Sequence, residues 1–205
     1  MAGRIAGLVL AAGGGRRLGG RAKALLVTGG ELLVDRAVDA LRAGGCAPVL
    51  VVLGAEAGRV RERARRLAGC TVVENPQWPT GMGSSLRAGL AAVMEPPDGV
   101  DGVDGVVVLL VDQPGVGAAA VARVRAAYRS PRTLAAAAYG GERGHPVLLG
   151  RDHLAGAARA AAGDRGARDY LRARESEIVL VECGDVARPE DIDTPGDLEP
   201  GPAAE

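Results

Sequence analysis

Short, wholly apolar runs alternate along this chain with longer segments whose apolar positions recur every three or four residues. Ile5–Leu10, Val49–Leu53 and Val106–Val111 are almost entirely apolar, as strands covered on both faces tend to be. Thr71–Val73, Leu134–Ala138, Pro146–Leu149 and Ile178–Val181 are shorter strand candidates. The spacing of Leu33, Val34, Ala37, Val38 and Leu41 predicts an amphipathic helix over Glu31–Arg42. Further helices are predicted at Glu56–Leu67, Ser84–Met94, Ala118–Tyr128, Arg151–Ala161 and Gly166–Arg174, with Ser84 and Ser85 as candidate N-caps. This alternation predicts an α/β fold: a three-layer, Rossmann-like sandwich around a mostly parallel central sheet. No linker divides the chain, so residues 1–198 are expected to form a single domain. Residues 199–205, rich in Pro, Ala and Gly, are expected to be a frayed tail.

Composition narrows the picture. The chain has 205 residues, 47% of them hydrophobic, enough for one domain with a real core. Its formal net charge is zero, which removes any global argument for nucleic acid or a membrane as partner. Arg4 and the apolar run Ile5–Ala12 superficially resemble a short signal peptide, but a charged glycine-rich loop follows at once. A buried first strand and a cytoplasmic location are the expectation. The three cysteines are widely spaced, which suits reduced thiols rather than a disulfide framework. Asp98, Asp101 and Asp104 repeat at a fixed spacing but lack the calcium-loop pattern, so a solvated loop is expected. Of the 25 lysines and arginines, Lys23 is the single lysine.

Lys23 closes the most informative segment. From Leu10-Ala11-Ala12 the chain runs through Gly13, Gly14, Gly15, Arg16, Arg17, Leu18, Gly19, Gly20, Arg21 and Ala22 to Lys23. In open α/β sheets ligands sit beyond the carboxyl ends of strands. Glycines there let backbone N–H groups approach phosphate oxygens, and Arg17 and Lys23 can neutralise phosphate charge. Neither the dinucleotide fingerprint nor the P-loop pattern fits any register of these residues. Two acidic motifs lie downstream. Asp112-Gln113-Pro114 follows the central apolar strand, where Asp112 can hold Mg²⁺ or cap a turn. Asp191-Ile192-Asp193-Thr194-Pro195 offers Asp193 as a second metal ligand or as a helix start.

Together these segments resemble the molybdenum cofactor nucleotidyltransferase family. Gly13, Arg17, Gly19 and Lys23 fall on marked positions of the family's phosphate loop, with Gly15 where many members carry serine. Asp112 matches its D-x-P motif, and Asp193 its closing motif. Asn75 to Gly89, containing Trp78, Gly81, Ser84 and Ser85, is similar to the nucleotide loop of the cytidylyl branch. Gly144-His145-Pro146 matches a further motif, in which His145 can contact the acceptor or be a simple turn residue. The resemblance spans about residues 5–198. It implies nucleotide binding by Leu10, Ala11, Ala12, Gly13, Gly14, Gly15, Arg17, Lys23, Asn75, Gly81, Ser84 and Ser85. It implies catalytic roles for Arg17, Lys23 and Asp112, metal ligation by Asp112 and Asp193, and acceptor binding by His145. The implied reaction is Mg²⁺-dependent (Mn²⁺ possible) transfer of CMP from CTP to the phosphate of a molybdopterin-type acceptor. A GTP-using guanylyltransferase is the near alternative and a sugar-1-phosphate nucleotidyltransferase a more distant one. A catalytically silent maturation protein that passes cofactor to a molybdenum oxidoreductase belongs to a different class.

Overall fold

The computed structural model describes residues 3–95 and 102–198. The tail at 199–205 and the positions of Asp98 and Asp101 lie outside the described residues. Asp104 lies within them, and its carboxylate accepts the backbone N–H of Arg4 at 2.7 Å.

Strand β1 (Ile5–Ala11) is followed by the glycine-rich loop, a short hairpin of β2 (Val27–Thr28) and β3 (Glu31–Leu32), and helix α1 (Leu33–Ala43). Then come β4 (Val49–Leu53), α2 (Ala57–Arg63), β5 (Thr71–Glu74), α3 (Met82–Met94), β6 (Gly105–Leu110) and α4 (Ala118–Ala126). The remaining elements are β7 (Leu134–Tyr139), β8 (Glu142–Gly150), α5 (Arg151–Ala160), α6 (Arg168–Arg172) and β9 (Ile178–Glu182). The central sheet has seven strands in the order β5-β4-β1-β6-β8-β7-β9. β1 pairs in parallel with β4 and β6, β4 with β5, and β7 with β9. Only β8 runs against its neighbours, β6 and β7. The expected three-layer, mostly parallel sandwich is the observed fold.

Successive strand residues point to opposite faces, and each face is apolar. Val9, Val51, Val107 and Leu109 pack under α1, α2 and α4 with Val34, Val38, Leu41, Val60 and Val121. Leu8, Leu10, Val52, Val106 and Val108 pack under α3, α5 and α6 with Leu86, Leu90, Leu154 and Leu171. His153, given no role from sequence, is buried there, with its ring nitrogens 2.9 Å from the Tyr170 hydroxyl and the Arg132 carbonyl.

Several element boundaries differ from expectation. The helix expected from Glu31 starts at Leu33, because Glu31 and Leu32 pair with Thr28 and Val27 as β3. Three more differ for identifiable reasons. Helix α2 stops at Arg63 because the buried Asp35 carboxylate captures the N–H groups of Arg65 and Arg66 at 2.9–3.1 Å. Helix α3 begins at Met82 with Gly81 as its cap, so Ser84 and Ser85 lie inside its first turns and are not N-caps. Strand β8 begins at Glu142, earlier than its apolar core suggests, because Tyr139 and Glu142 pair across a tight turn.

Chain order turns at β1. The next sheet strand, β4, lies on one side of it, and β6 lies on the other. β1 thus lies at the switch point of the sheet, and ligands of open α/β sheets sit beyond the carboxyl ends of strands at such a point. In register, Leu10 stands beside Leu110, and the N–H of Val111 bonds Leu10 at 3.2 Å. The glycine-rich loop and Asp112 emerge side by side.

Candidate active site

The loop after β1 is folded on itself. Gly15 has φ 54° and its carbonyl accepts the N–H groups of Leu18 and Gly20 at 2.8 and 3.1 Å. A Cβ there would lie 2.3 Å from the carbonyl oxygen of Arg21. Backbone sign and space both require glycine, which explains the departure from serine in this chain. Gly15→Ser is expected to lower stability by about 1–3 kcal/mol through this strained backbone and to weaken nucleotide binding; chemical unfolding and calorimetry with CTP and Mg²⁺ measure both.

The loop ends where the N–H of Lys23 bonds the Gly13 carbonyl at 3.0 Å. From there the Lys23 side chain reaches two carboxylates. Its Nζ lies 2.6 Å from Asp112 Oδ2 and 2.6 Å from Asp193 Oδ1. Arg17 Nη1 lies 3.6 Å from the other oxygen of Asp193 and is largely exposed. Burial alone would lower the Lys23 pKa, but hydrogen bonds and charge from Asp112 and Asp193 outweigh it and raise the pKa above its ordinary value. The ammonium is thus firmly charged.

The C-terminal segment reaches this point through three contacts. Ile192 donates its N–H to the Asp112 carbonyl at 2.8 Å. Gln113 Nε2 donates to the Pro189 carbonyl and to Asp191 Oδ1, at 3.0 and 2.8 Å. Asp197, not Asp193, caps the following turn: its Oδ2 accepts the N–H groups of Asp193 and Thr194 and the Thr194 hydroxyl. The Asp193 carboxylate is left to face Lys23. Asp191 completes an acidic trio. Burial, together with the charges of Asp112 and Asp193, raises its pKa.

A cleft of about 460 Å³ opens above these groups, a size typical of small-molecule sites. Leu10, Ala12, Gly13, Gly14, Gly15, Arg17, Lys23, Gly81, Ser85, Asp112 and Asp193 line it. Ala11 is fully buried in the core instead. Asn75 and Ser84 also lie behind the wall. Asn75 Nδ2 donates to the hydroxyls of Ser84 and Ser85 at 2.9 and 3.1 Å, and Ser84 donates to the Gly81 and Gln77 carbonyls. Their polar atoms are spent on holding the wall in shape, so these two residues shape the cleft without lining it. Trp78 lines the cleft too, and its ring lies where a Cβ on Gly14 would be, 2.8 Å away.

His145 lies in an adjoining cavity of about 370 Å³. Its floor is apolar, with Leu10, Leu86, Val108, Leu110 and Leu149, and Arg143 and Arg168 stand at its rim. Sequence reasoning missed both arginines and Asp191, because neither composition nor spacing separates them from the chain's many surface charges. Burial lowers the His145 pKa to about 4, with Arg143 and Arg168 adding to the effect and Asp112 opposing it. The imidazole is neutral at neutral pH. Because the folded pKa lies below the ordinary 6.5, stability from this group is present above pH 6.5 and lost as pH falls towards 4. His145→Gln is expected to flatten urea midpoints plotted over that window.

A model of the MobA-like NTP transferase domain matches residues 7–178. The chain belongs to this family. The family is one of nucleotidyltransferases, and the site sets a glycine-rich loop beside convergent charge. A nicotine blue oxidoreductase of Paenarthrobacter nicotinovorans is 38% identical over 197 residues, covering 93% of this chain and 92% of that protein. Among solved structures, a homologue of Mycobacterium tuberculosis Rv0371c from Mycobacterium sp. strain JC1 is 31% identical, with TM-score 0.78 and 95% and 92% of the two chains covered. Rv0371c of M. tuberculosis in complex with manganese is 29% identical, with TM-score 0.70 and 96% of each chain covered. Among the described residues, no helix is long and apolar enough to cross a membrane.

Proposed function

We propose that this chain, as one domain over residues 1–198, transfers CMP from CTP to the phosphate of a molybdenum-pterin-type acceptor. The observation that carries the reading is the convergence of Asp112 and Asp193 on one cation position, held by the Lys23 ammonium, on the floor of the glycine-loop cleft. Two carboxylates sharing a cation suit Mg²⁺, which takes one or two carboxylates and fills its shell with phosphate and water. The manganese complex of Rv0371c supports a divalent ion of this kind.

When bound, Mg²⁺ supplies charge neutralisation at the phosphates and orients them. The chain's own groups do the rest. Backbone N–H groups of Gly13 to Gly15 cradle the β- and γ-phosphates. Lys23 and Arg17 offset the negative charge that grows on pyrophosphate as it leaves. Ser85 and Gly81, at the start of α3, meet the nucleoside side of the cleft. The acceptor occupies the adjoining cavity, its ring body on the apolar floor and its phosphate towards Arg143, Arg168 and neutral His145. An oxygen of that phosphate attacks the α-phosphorus of CTP, the bond to the β-phosphate oxygen breaks, and pyrophosphate carries away the electron pair. No covalent enzyme intermediate is needed; positioning and electrostatics suffice. The loaded cofactor would pass to a molybdenum oxidoreductase or its maturation factor, with no nucleic acid or membrane involved.

The oxidoreductase relative favours a second reading, reduction of an organic substrate seated in the adjoining cavity by a hydride donor of the nicotinamide class, which is oxidised in turn. Pyrophosphate release decides between them, measured with CTP, GTP or UTP, Mg²⁺ and a molybdopterin acceptor. Release with CTP supports the proposal and release with GTP alone moves it to guanylyl transfer. Nucleotide binding without release fits a silent carrier, and reduction of nicotine blue by an added nicotinamide hydride donor, without pyrophosphate release, fits the second reading.

A further inference from the structure

Lys23 must be held where it can meet both carboxylates, yet the loop that carries it is rich in glycine. Two consecutive backbone N–H groups anchor its end. That of Lys23 bonds Gly13 inside the loop. That of Ala22, a residue with no exposed surface, leaves the loop and bonds Glu56 Oε1 at 3.0 Å. Glu56 comes from the turn between β4 and α2, 34 residues away. Among the described residues it is the sole non-glycine with positive φ, at 50°. L-residues adopt that conformation at an energetic cost, which neighbouring contacts must sustain. Here they do: Ala55 in the same turn donates its N–H to Ala12 at 3.1 Å, Arg59 binds the second carboxylate oxygen, and the Trp78 side chain packs against Gly54. From this turn the Glu56 carboxylate meets the loop through one oxygen and Arg59 of α2 through the other.

We propose that Glu56 is a positioning residue for Lys23, fixing the end of the phosphate loop from the neighbouring β4–α2 turn. It touches neither phosphate nor metal; it acts through the Ala22 N–H, the peptide preceding Lys23. Its carboxylate is ionised at neutral pH, since the Ala22 N–H, opposed by desolvation and aided by Arg59 and Arg21, lowers its pKa. The functional part rests on the reading of Lys23 as a triphosphate-binding residue; the structural part does not.

Because Lys23 is the one lysine, amine acylation reports on it alone once peptide mapping separates the N-terminal amine. Acylation by N-hydroxysuccinimidyl acetate is compared for wild type, Glu56→Gly and Glu56→Gln. Glycine relieves the positive φ but removes the acceptor, so a purely structural role predicts unchanged or greater stability and an unchanged Lys23. The proposal predicts Lys23 acylated about 10-fold faster in Glu56→Gly, as expected for loss of a hydrogen bond to a charged group, with little change in Tm. Nucleotidyl transfer from Mg²⁺–CTP should fall about 10-fold, mainly in kcat, as for a milder loss of Lys23 itself. Glu56→Gln keeps an acceptor oxygen and should stay within about 3-fold of wild type. Equal acylation in wild type and Glu56→Gly overturns the proposal, as does Glu56→Gln behaving like Glu56→Gly. Failure of the wild type to bind CTP would sink the cytidylyl reading, while the acylation comparison would still decide the role of Glu56.

Discussion

Replacing Lys23 with methionine is expected to reduce kcat/KM for nucleotidyl transfer by about 10²–10³-fold, the cost typical of losing one preorganised charge at a transition state. Methionine keeps much of the length and removes only the ammonium. The loss should fall mainly on kcat, because the charge Lys23 meets grows as pyrophosphate separates. Lys23→Arg should not rescue fully. An ammonium is compact, and two carboxylate oxygens 2.6 Å from one nitrogen leave no room for a planar fork. In the resting protein the same substitution leaves Asp112 and Asp193 facing each other without their shared cation. Unfolding midpoints of Lys23→Met should therefore lie below wild type at neutral pH, because the two carboxylates are left without their partner. Steady-state kinetics and chemical denaturation test the two halves separately, and a variant with full activity would remove Lys23 from the mechanism.

Asp112→Asn is the second large effect. The substitution conserves shape but removes the carboxylate charge at the end of β6, where the side chain is 18% exposed. Mn²⁺ titrated with nucleotide and followed by electron paramagnetic resonance should bind far more weakly, and kcat should fall by about 10³-fold if several kcal/mol of metal stabilisation is lost. Asp193→Asn should be milder. Asp193 is 45% exposed on the C-terminal segment, where water screens its charge and can replace it as a ligand. Equal effects from the two aspartates would contradict this ranking.

How much of this was legible in the sequence follows from what each residue does. Continuous apolar strands declared the sheet because both faces are covered, and the glycine loop with its basic residues marked where the cleft opens. The convergence of Lys23, Asp112 and Asp193 was not legible from spacing, since 170 residues separate Lys23 from Asp193; the family motifs supplied it. Asn75 and Ser84 look like ligand groups in sequence, yet their hydrogen bonds are used within the wall. Nothing local separates a polar residue that faces a cleft from one that braces it. Glu56 went unnoticed for the converse reason. It reads as the first residue of a charged helix, and its role depends on a backbone angle that composition does not encode. The β2–β3 hairpin escaped because two-residue strands carry no periodicity. Helix α2 ended early through Asp35, a contact across 30 residues.

Trp78 stands between Gly14 and Gly54, bridging the glycine-rich loop and the β4–α2 turn. It is the chain's sole tryptophan. Intrinsic fluorescence excited at the indole band thus comes from one ring on the cleft wall, without background from elsewhere in the fold. The protein carries its own optical gauge of loop geometry: emission wavelength and quenching by iodide report how the ring is covered, in real time and without a label.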